Sequence, residues 1–187
     1  MTMPRTGLVR KIACILLVPI ALFTLAACGN KDEERTRGSE GEFVHAGDAV
    51  YQVQLTRLLN PRQRPDDTLV RGQLRLPRDE QFLGVFMKIK NEGKEGYLPP
   101  RDMRVVDSEG NEYLPLDANQ SNFGLDFAAE IAPGASVPPP DSPAIEGRSG
   151  ASMVLFRVKN VSATDNLPLI LEIPNGTRVP SRIALDV

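Results

Sequence analysis

An uncharged, apolar run that ends directly at a cysteine is the feature that most limits how this chain can fold. The run, residues 12–27, follows three basic residues, Arg5, Arg10 and Lys11. It is shorter than the ~20 residues that a membrane span needs. A basic segment, a short apolar segment and small residues in this order are typical of a secretory signal peptide. We therefore expect residues 1–27 to be removed and to take no part in the fold.

The end of the apolar run and the cysteine after it, Leu25-Ala26-Ala27-Cys28, resemble the lipobox of bacterial lipoproteins. The resemblance implies transfer of diacylglycerol to the Cys28 sulfur and cleavage between Ala27 and Cys28. Each buried methylene of an acyl chain contributes ~0.8 kcal/mol, so two or three chains would hold the protein on the extracytoplasmic face of the cell membrane. The alternative is an uncleaved signal anchor, in which Cys28 is an ordinary residue at the membrane interface.

Removal of the signal peptide changes both the cysteine count and the charge. Cys14 leaves with it and Cys28 would be acylated, so no thiol remains for a disulfide, a metal or a nucleophile. The remaining chain carries 19 basic and 24 acidic residues, a formal net charge of −5. This charge argues against nucleic acid or an anionic membrane face as the main partner. The chain also has no tryptophan, which disfavours a stacking platform for sugars or bases.

Residues 28–47 predict a flexible, charged tether behind the lipidated cysteine. The segment has almost no large apolar residue before Phe43, so it cannot bury enough surface to order itself. A solvated spacer that lifts the domain from the membrane is the interpretation that the composition favours. The alternative is that the mixed charges form a docking site.

From residue 48 onward the pattern changes to short strands. Apolar and polar residues alternate with a period of two, and no segment shows helical apolar spacing over more than about two turns. On one face of each predicted strand lie Tyr51, Val53 and Leu55; Leu83, Val85, Met87 and Ile89; Val154, Phe156 and Val158; Leu169, Leu171 and Ile173; and Ile183, Leu185 and Val187. About seven such strands predict an all-β, antiparallel sandwich over residues 48–187.

Three segments of this region resemble a known family. They are residues 82–91, residues 105–113 and the turn Pro133-Gly134. Together they are similar to the telokin-like, immunoglobulin-like domain of unknown function that follows lipoboxes in bacterial envelope proteins. The resemblance implies an immunoglobulin-like fold and no catalytic residues. The domain carries a proline-rich insert at about residues 132–150, of which residues 136–150 are not part of the family pattern.

Catalytic and metal-binding patterns are weak in this sequence. The single histidine, His45, cannot by itself supply a Ser-His-Asp triad or a histidine metal site. Asp117, Asn119 and Ser121 have the spacing of a calcium loop, but the glycine and glutamate that complete such a loop are missing, which favours a polar loop. Asp107, Glu109 and Glu112 could supply paired carboxylates, although a solvated hairpin tip explains them equally well. We expect no cofactor and no metal.

Two functions of different classes remain. The first is a non-catalytic binding module on the cell envelope, attached to the membrane through Cys28 and with an envelope protein as candidate partner. Its interaction surface is then expected within the irregular segment 117–150, which could also be a passive loop. The second is a hydrolase that acts on envelope glycan with carboxylates and without histidine. The missing catalytic groups favour the first.

Overall fold

The computed structural model describes residues 35–73, 75–147 and 149–187, and the polar–apolar alternation of the sequence becomes two facing β-sheets there. The strands are β1 (Arg37–Ser39), β2 (Val44–Ala46), β3 (Ala49–Leu59), β4 (Glu80–Asn91), β5 (Arg104–Val106), β6 (Glu112–Tyr113), β7 (Pro115–Leu116), β8 (Ser136–Val137), β9 (Ser152–Lys159), β10 (Leu169–Ile173) and β11 (Ser181–Leu185). Three short helices are α1 (Asp66–Leu69), α2 (Pro143–Glu146) and α3 (Asn160–Thr164).

The two sheets confirm the predicted all-β sandwich. Sheet A has the order β1-β11-β10-β5-β6, and sheet B has the order β2-β3-β4-β9-β7, with β8 added beside one end of β4. Of the pairings between the described strands, all are antiparallel except β1 with β11. The number of described strands exceeds the predicted seven because several strands of two or three residues were not recognisable by period.

The main core fills the space between the sheets. All seven apolar residues that the sequence assigned to the inner faces of β4 and β9 are fully buried there: Leu83, Val85, Met87, Ile89, Val154, Phe156 and Val158. They meet the inward residues of sheet A, among them Val105, Leu171 and Ile183. A period of two thus assigns the residues that face the main core correctly in these two strands, whose mutual register contains no bulge.

Strand β3 departs from its predicted face at a bulge. Its register against β4 shifts between Val53 and Leu55, so an extra residue enters the strand and reverses the faces beyond it. Leu55, which the pattern placed inside with Tyr51 and Val53, is 38% exposed, and that part of the prediction is wrong. Thr56 takes the inward position, where it is buried and its hydroxyl has no hydrogen-bond partner among the described residues.

Replacing Thr56 by valine should therefore stabilise the protein. An unpaired buried hydroxyl costs free energy and valine has nearly the same shape, so we expect Thr56→Val to raise the free energy of unfolding by about 1 kcal/mol. Urea denaturation measures this. The matched control is Thr68→Val, because the Thr68 hydroxyl already donates to the Pro65 carbonyl at 2.6 Å and its loss should bring no gain. A drop in stability with Thr56→Val would contradict the assigned geometry.

A second apolar cluster covers part of the outer face of sheet B. Phe82 and Phe86 of β4 and Met153 and Leu155 of β9 point outward and are nevertheless buried. They are covered by the segment around α1, where Leu69 and Val70 are buried, and by the loop around Ala118. Polar residues and Pro65 predict a loop over residues 62–68, and the short alternation that follows predicts an extended segment over 70–76. The helix α1 and the buried Val70 differ from that prediction.

The predicted tether is shorter than expected. Residues 28–34 lie outside the described residues, but β1 and β2 fall inside the predicted tether of 28–47, and the prediction is wrong for them. Val44 and Ala46 are buried, which gives this segment an apolar anchor that its average composition concealed. Its backbone pairs with two strands, because β1 joins β11 and β2 joins β3.

Candidate functional site

An open groove lies on the part of the outer face of sheet B that the second cluster leaves uncovered. Along β4 the outward residues change from the buried Phe82 and Phe86 to the exposed Lys88 and Lys90. The sequence showed this change from aromatic to lysine. The groove has a volume of about 2130 Å³ and is lined by β2, β3 and β4 on one side and by residues 122–145 on the other, including Phe43, His45, Val50, Gln52, Lys88, Lys90, Asp126, Glu130, Val137, Pro138, Pro139, Pro140 and Ile145.

Asn91 fastens the irregular wall of the groove to sheet B. Its side chain is fully buried at the end of β4, where its amide donates to the carbonyls of Glu95 (2.7 Å) and Ile131 (2.8 Å). Its backbone accepts from Gly134 N at 2.9 Å and donates to Ala135 O at 3.0 Å. Gly134 has a φ of 74°, which glycine adopts readily, so the turn Pro133-Gly134 that the sequence predicts is present here. The hydrogen bonds of Asn91 therefore hold the wall against the end of β4.

A pair of tyrosines supports the same wall from inside. The hydroxyls of Tyr51 and Tyr97 are 2.6 Å apart, and Tyr97 forms a two-hydrogen-bond bridge with Ile131. Burial raises the pKa of the Tyr51 phenol well above its ordinary value, and the neighbouring Tyr97 adds to this effect. Burial also raises the pKa of Tyr97. Both phenols therefore stay protonated at neutral pH and act as structural hydrogen-bonding groups.

The groove carries one lysine that its neighbours leave unpaired. Lys90 Nζ donates to Glu92 Oε1 at 2.7 Å, and this hydrogen bond holds the pKa of Glu92 below its ordinary value. Lys88, the outward-facing residue of β4 that precedes Lys90, makes no ion pair with the described residues. Asp126 and Glu130 are exposed on the opposite wall. The groove thus presents separated charges of both signs beside apolar surface.

The proline run forms a fixed ridge along the groove. Val137 pairs with Ile89 of β4 and packs against the main core, and Pro138 is buried. Pro139 and Pro140 are exposed and line the groove. Because proline fixes φ, this ridge loses little conformational entropy on contact with a ligand. The sequence of residues 127–130 predicts a short helical turn, and the structure has a single turn there, in which Ala129 N donates to Asp126 O at 3.3 Å, but no helix.

The hairpin that carries the candidate carboxylates is tied down by Asp107. Asp107 Oδ2 accepts from Ser162 Oγ at 2.6 Å, Asn111 Nδ2 at 2.8 Å and Asn166 Nδ2 at 3.2 Å. Burial raises the pKa of Asp107, but the hydrogen bonds from Ser162, Asn111 and Asn166 outweigh it and hold the pKa well below its ordinary value. Since the folded pKa is depressed, this clasp stabilises the fold at neutral pH and loses its contribution as the pH falls.

The three carboxylates do not share one environment. Asp107 is only 5% exposed, so the interpretation of a solvated tip is wrong for it, whereas Glu109 and Glu112 are exposed. Glu112 lies 3.5 Å from Arg104, and Ser162 is fully buried. The geometry around Asp107 is that of a structural clasp between the β5–β6 hairpin and α3. It offers a substrate no access to the buried groups.

The other sequence candidates occupy different places. Asp117 Oδ1 accepts from Asn119 N at 3.0 Å, and Ser121 is buried, which makes this a packed polar loop. In the part of the chain that the structure describes, no three His, Cys, Asp or Glu side chains are grouped to hold a metal. His45 is half-buried on β2 and lines the groove.

Ala27 and Cys28 lie outside the described residues, so the lipidation site remains a prediction from sequence. Across residues 35–73, 75–147 and 149–187, the structure contains no helix with the length and apolar character of a membrane span.

The interaction surface predicted on segment 117–150 stays a prediction; residues 122–145 of that segment form one wall of the groove, and the sequence did not indicate the other wall. Phe43 and His45 fall in the predicted tether, and the period-two pattern of β3 assigns Gln52 only to the polar face of a strand. The lysines at the end of β4 were the available signal, since exposed charge there showed that this end of the sheet is uncovered.

Comparisons with known proteins bear on the fold. The chain matches no protein-family model and no curated protein. The yjhA protein from Bacillus subtilis superposes with a TM-score of 0.51 at 11% identity, over 80% of this chain and 99% of that protein. An uncharacterized β-sandwich protein from Clostridium difficile 630 gives 0.44 at 13% identity, over 81% and 95% of the two chains.

A further solved structure is ycdA of Bacillus subtilis subsp. subtilis str. 168, a candidate lipoprotein. Its TM-score is 0.46 at 15% identity, over 80% of this chain and 38% of ycdA. A match as loose as this one has no bearing on the anchor of the present chain. At these identities the similarity shows the fold alone, and the fold is a β-sandwich.

Proposed function

We propose that this protein is a bacterial lipoprotein, held by acylated Cys28 on the extracytoplasmic face of the membrane, whose sandwich is a non-catalytic binding module. The lipobox after a short apolar run supports the anchor. The open groove on sheet B carries the binding part of the proposal. Membership of the immunoglobulin-like, telokin-like lipoprotein family belongs to the same proposal and is supported by the sequence resemblance together with the sandwich.

The groove suits an extended segment of an envelope protein. Its volume of about 2130 Å³ is larger than the roughly 300–1,000 Å³ of sites for small molecules. The ridge of Pro139 and Pro140 and the exposed Phe43 offer apolar contact at low entropic cost. Lys88 adds an unpaired positive charge, which fits an acidic side chain on the bound segment. Exposed Asp126 and Glu130 on the opposite wall fit a basic side chain in the same way, so the chemistry of the proposed partner is an extended peptide with apolar residues and charged residues of both signs.

The alternative of a glycan hydrolase has no supporting observation. Asp107, whose pKa hydrogen bonding lowers, is enclosed by Ser162, Asn111 and Asn166. It lies at the β5–β6 hairpin and does not line the groove. Paired, accessible carboxylates are the arrangement that glycoside hydrolysis requires. The second function is not proposed.

Photo-crosslinking in the bacterial envelope tests the binding site. A benzoylphenylalanine at position 52, in the groove, should give a discrete adduct with another protein, whereas the same probe at position 184, on the outer face of sheet A, should not. Lys88→Glu should strongly reduce the adduct by reversing the charge. The matched control is Lys159→Glu, an exposed lysine on the outer face of the same sheet but outside the groove.

The proposal has a clear negative outcome. Adducts that form from position 184 and not from position 52 would move the binding surface to sheet A. An adduct at position 52 that Lys88→Glu and Lys159→Glu reduce equally would remove the assigned role of Lys88.

A further inference from the structure

The point where the chain enters the sandwich determines which end of the domain faces a membrane anchor. Arg182 N donates to Thr36 O at 2.8 Å, and His45 N donates to Arg35 O at 2.8 Å. Strand β1 then runs parallel to β11, with Arg37 opposite Arg182. The first described residues therefore lie at the end of the sandwich where β10 turns into β11. We call this end the anchor end.

Three connections adjoin one another at the anchor end, and the last residues of the β7–β8 connection, 132–135, lie beside the end of β4 there. The β10–β11 turn, residues 174–180, follows the pairing of Ile173 with Ser181. The β2–β3 turn, residues 47–48, meets the β4–β5 connection, residues 92–103, where Glu92 N donates to Asp48 O at 2.8 Å. A Cβ on Gly47 would lie 3.8 Å from the Asn175 carbonyl, so the β2–β3 and β10–β11 turns also adjoin. The β5–β6 hairpin tip, α3 and residues 60–79 lie at the opposite end.

The linker between Cys28 and the first described residue, residues 29–34, is short. Arg35 is the seventh residue after Cys28. Seven residues span at most about 25 Å when fully extended. The 11 residues of β3 give the sandwich a length of about 36 Å at ~3.3 Å per residue. An acylated Cys28 therefore keeps the anchor end near the bilayer, because even a fully extended linker of about 25 Å is shorter than the sandwich and could not bring Cys28 to the opposite end.

Two of the three adjoining connections expose a large apolar residue. Leu98 is 54% exposed in the β4–β5 connection, and Val179 is 53% exposed in the β10–β11 turn. Apolar side chains at this position can enter the headgroup layer of a bilayer. The charged residues of these connections are mixed in sign: Lys94, Arg101, Arg178, Asp48, Glu92, Glu95 and Asp102. Contact with the bilayer therefore depends on the short linker and on the two exposed apolar residues, and not on an excess of positive charge.

We propose that the anchor end rests on the lipid bilayer, with Leu98 and Val179 as its contact points. This inference rests on the proposed anchor at Cys28. It also gives the position of the groove relative to the membrane, because Glu92, Ala132 and residues 134–136 line the groove and lie at or beside the anchor end. The groove would then open close to the membrane surface and receive partner segments that lie near the bilayer.

A single tryptophan introduced by substitution can report this orientation, because the native chain contains no tryptophan. The chain from Cys28 onward includes every residue that the structure describes, and Cys28 is its only cysteine. Its thiol can be coupled to a maleimide lipid on phosphatidylcholine vesicles that carry dansyl headgroups. Three variants are compared: Leu98→Trp, Val179→Trp and, at the opposite end, Leu167→Trp, where Leu167 is 42% exposed. Circular dichroism confirms that each variant keeps its strands.

Energy transfer from tryptophan to the dansyl lipids should be strong for Leu98→Trp and Val179→Trp and weak for Leu167→Trp. Equal transfer from the two ends, or stronger transfer from Leu167→Trp, would overturn the proposed orientation. The chemical coupling replaces acylation in the cell. A failure of orientation in this experiment is therefore distinct from a failure of the lipobox, which is tested in cells.

Discussion

Replacing Phe156 by alanine should lower the free energy of unfolding by about 3–5 kcal/mol. Phe156 is fully buried between the sheets, opposite Leu83 of β4 and next to Pro115 of β7. Its loss removes a large apolar side chain and leaves a cavity that the surrounding strands cannot fill. A domain of this size has a total stability of roughly 5–15 kcal/mol, so the variant should be marginal. Thermal denaturation should show a midpoint lower by roughly 10–15 °C.

A leucine that the strand pattern placed in the core provides the control for Phe156. Leu55→Ala should cost less than about 1 kcal/mol, because the bulge turns this side chain to the outer face, where it is 38% exposed. If Leu55→Ala and Phe156→Ala destabilise equally, the bulge is misplaced. If Phe156→Ala leaves the midpoint unchanged, the assignment of the core is wrong.

Uninterrupted strands were predictable from the sequence. The register between β4 and β9 runs without a bulge over residues 83–87 and 152–156, and every residue assigned to the inside of the two strands is buried. In β3, alternation failed beyond Val53, because a single extra residue reverses the faces and hydrophobicity does not show where the extra residue lies. Period-two reasoning therefore needs a continuous register to succeed.

Short and long-range elements were not predictable in the same way. Strands β1 and β2 have three residues each and exist because β11 and β3 pair with them. The clasp on Asp107 depends on Ser162, 55 residues further along the chain. Such contacts leave no local periodic signal. Asp107 was therefore read as one of three exposed carboxylates at a hairpin tip.

The candidate site was predictable in part. The proline run and the lysines at the end of β4 were visible in the sequence, and both line the groove. The way in which Asn91 and Tyr97 draw residues 131–135 back against the sheet was not visible, because both are polar residues in connections or at a strand end whose partners lie about 40 residues away. The groove is a product of those tertiary contacts.

The most direct test of the anchor, on which the cellular role depends, is Cys28→Ala followed in cells with an alkyne fatty acid. Without the sulfur there is no diacylglycerol transfer, and we expect complete loss of acyl labelling together with an uncut precursor. The matched control is Cys14→Ala, which removes the other cysteine and should be labelled and cut like the native chain. If Cys28→Ala is still cut to the native size and stays with the membrane fraction, the lipobox interpretation is contradicted.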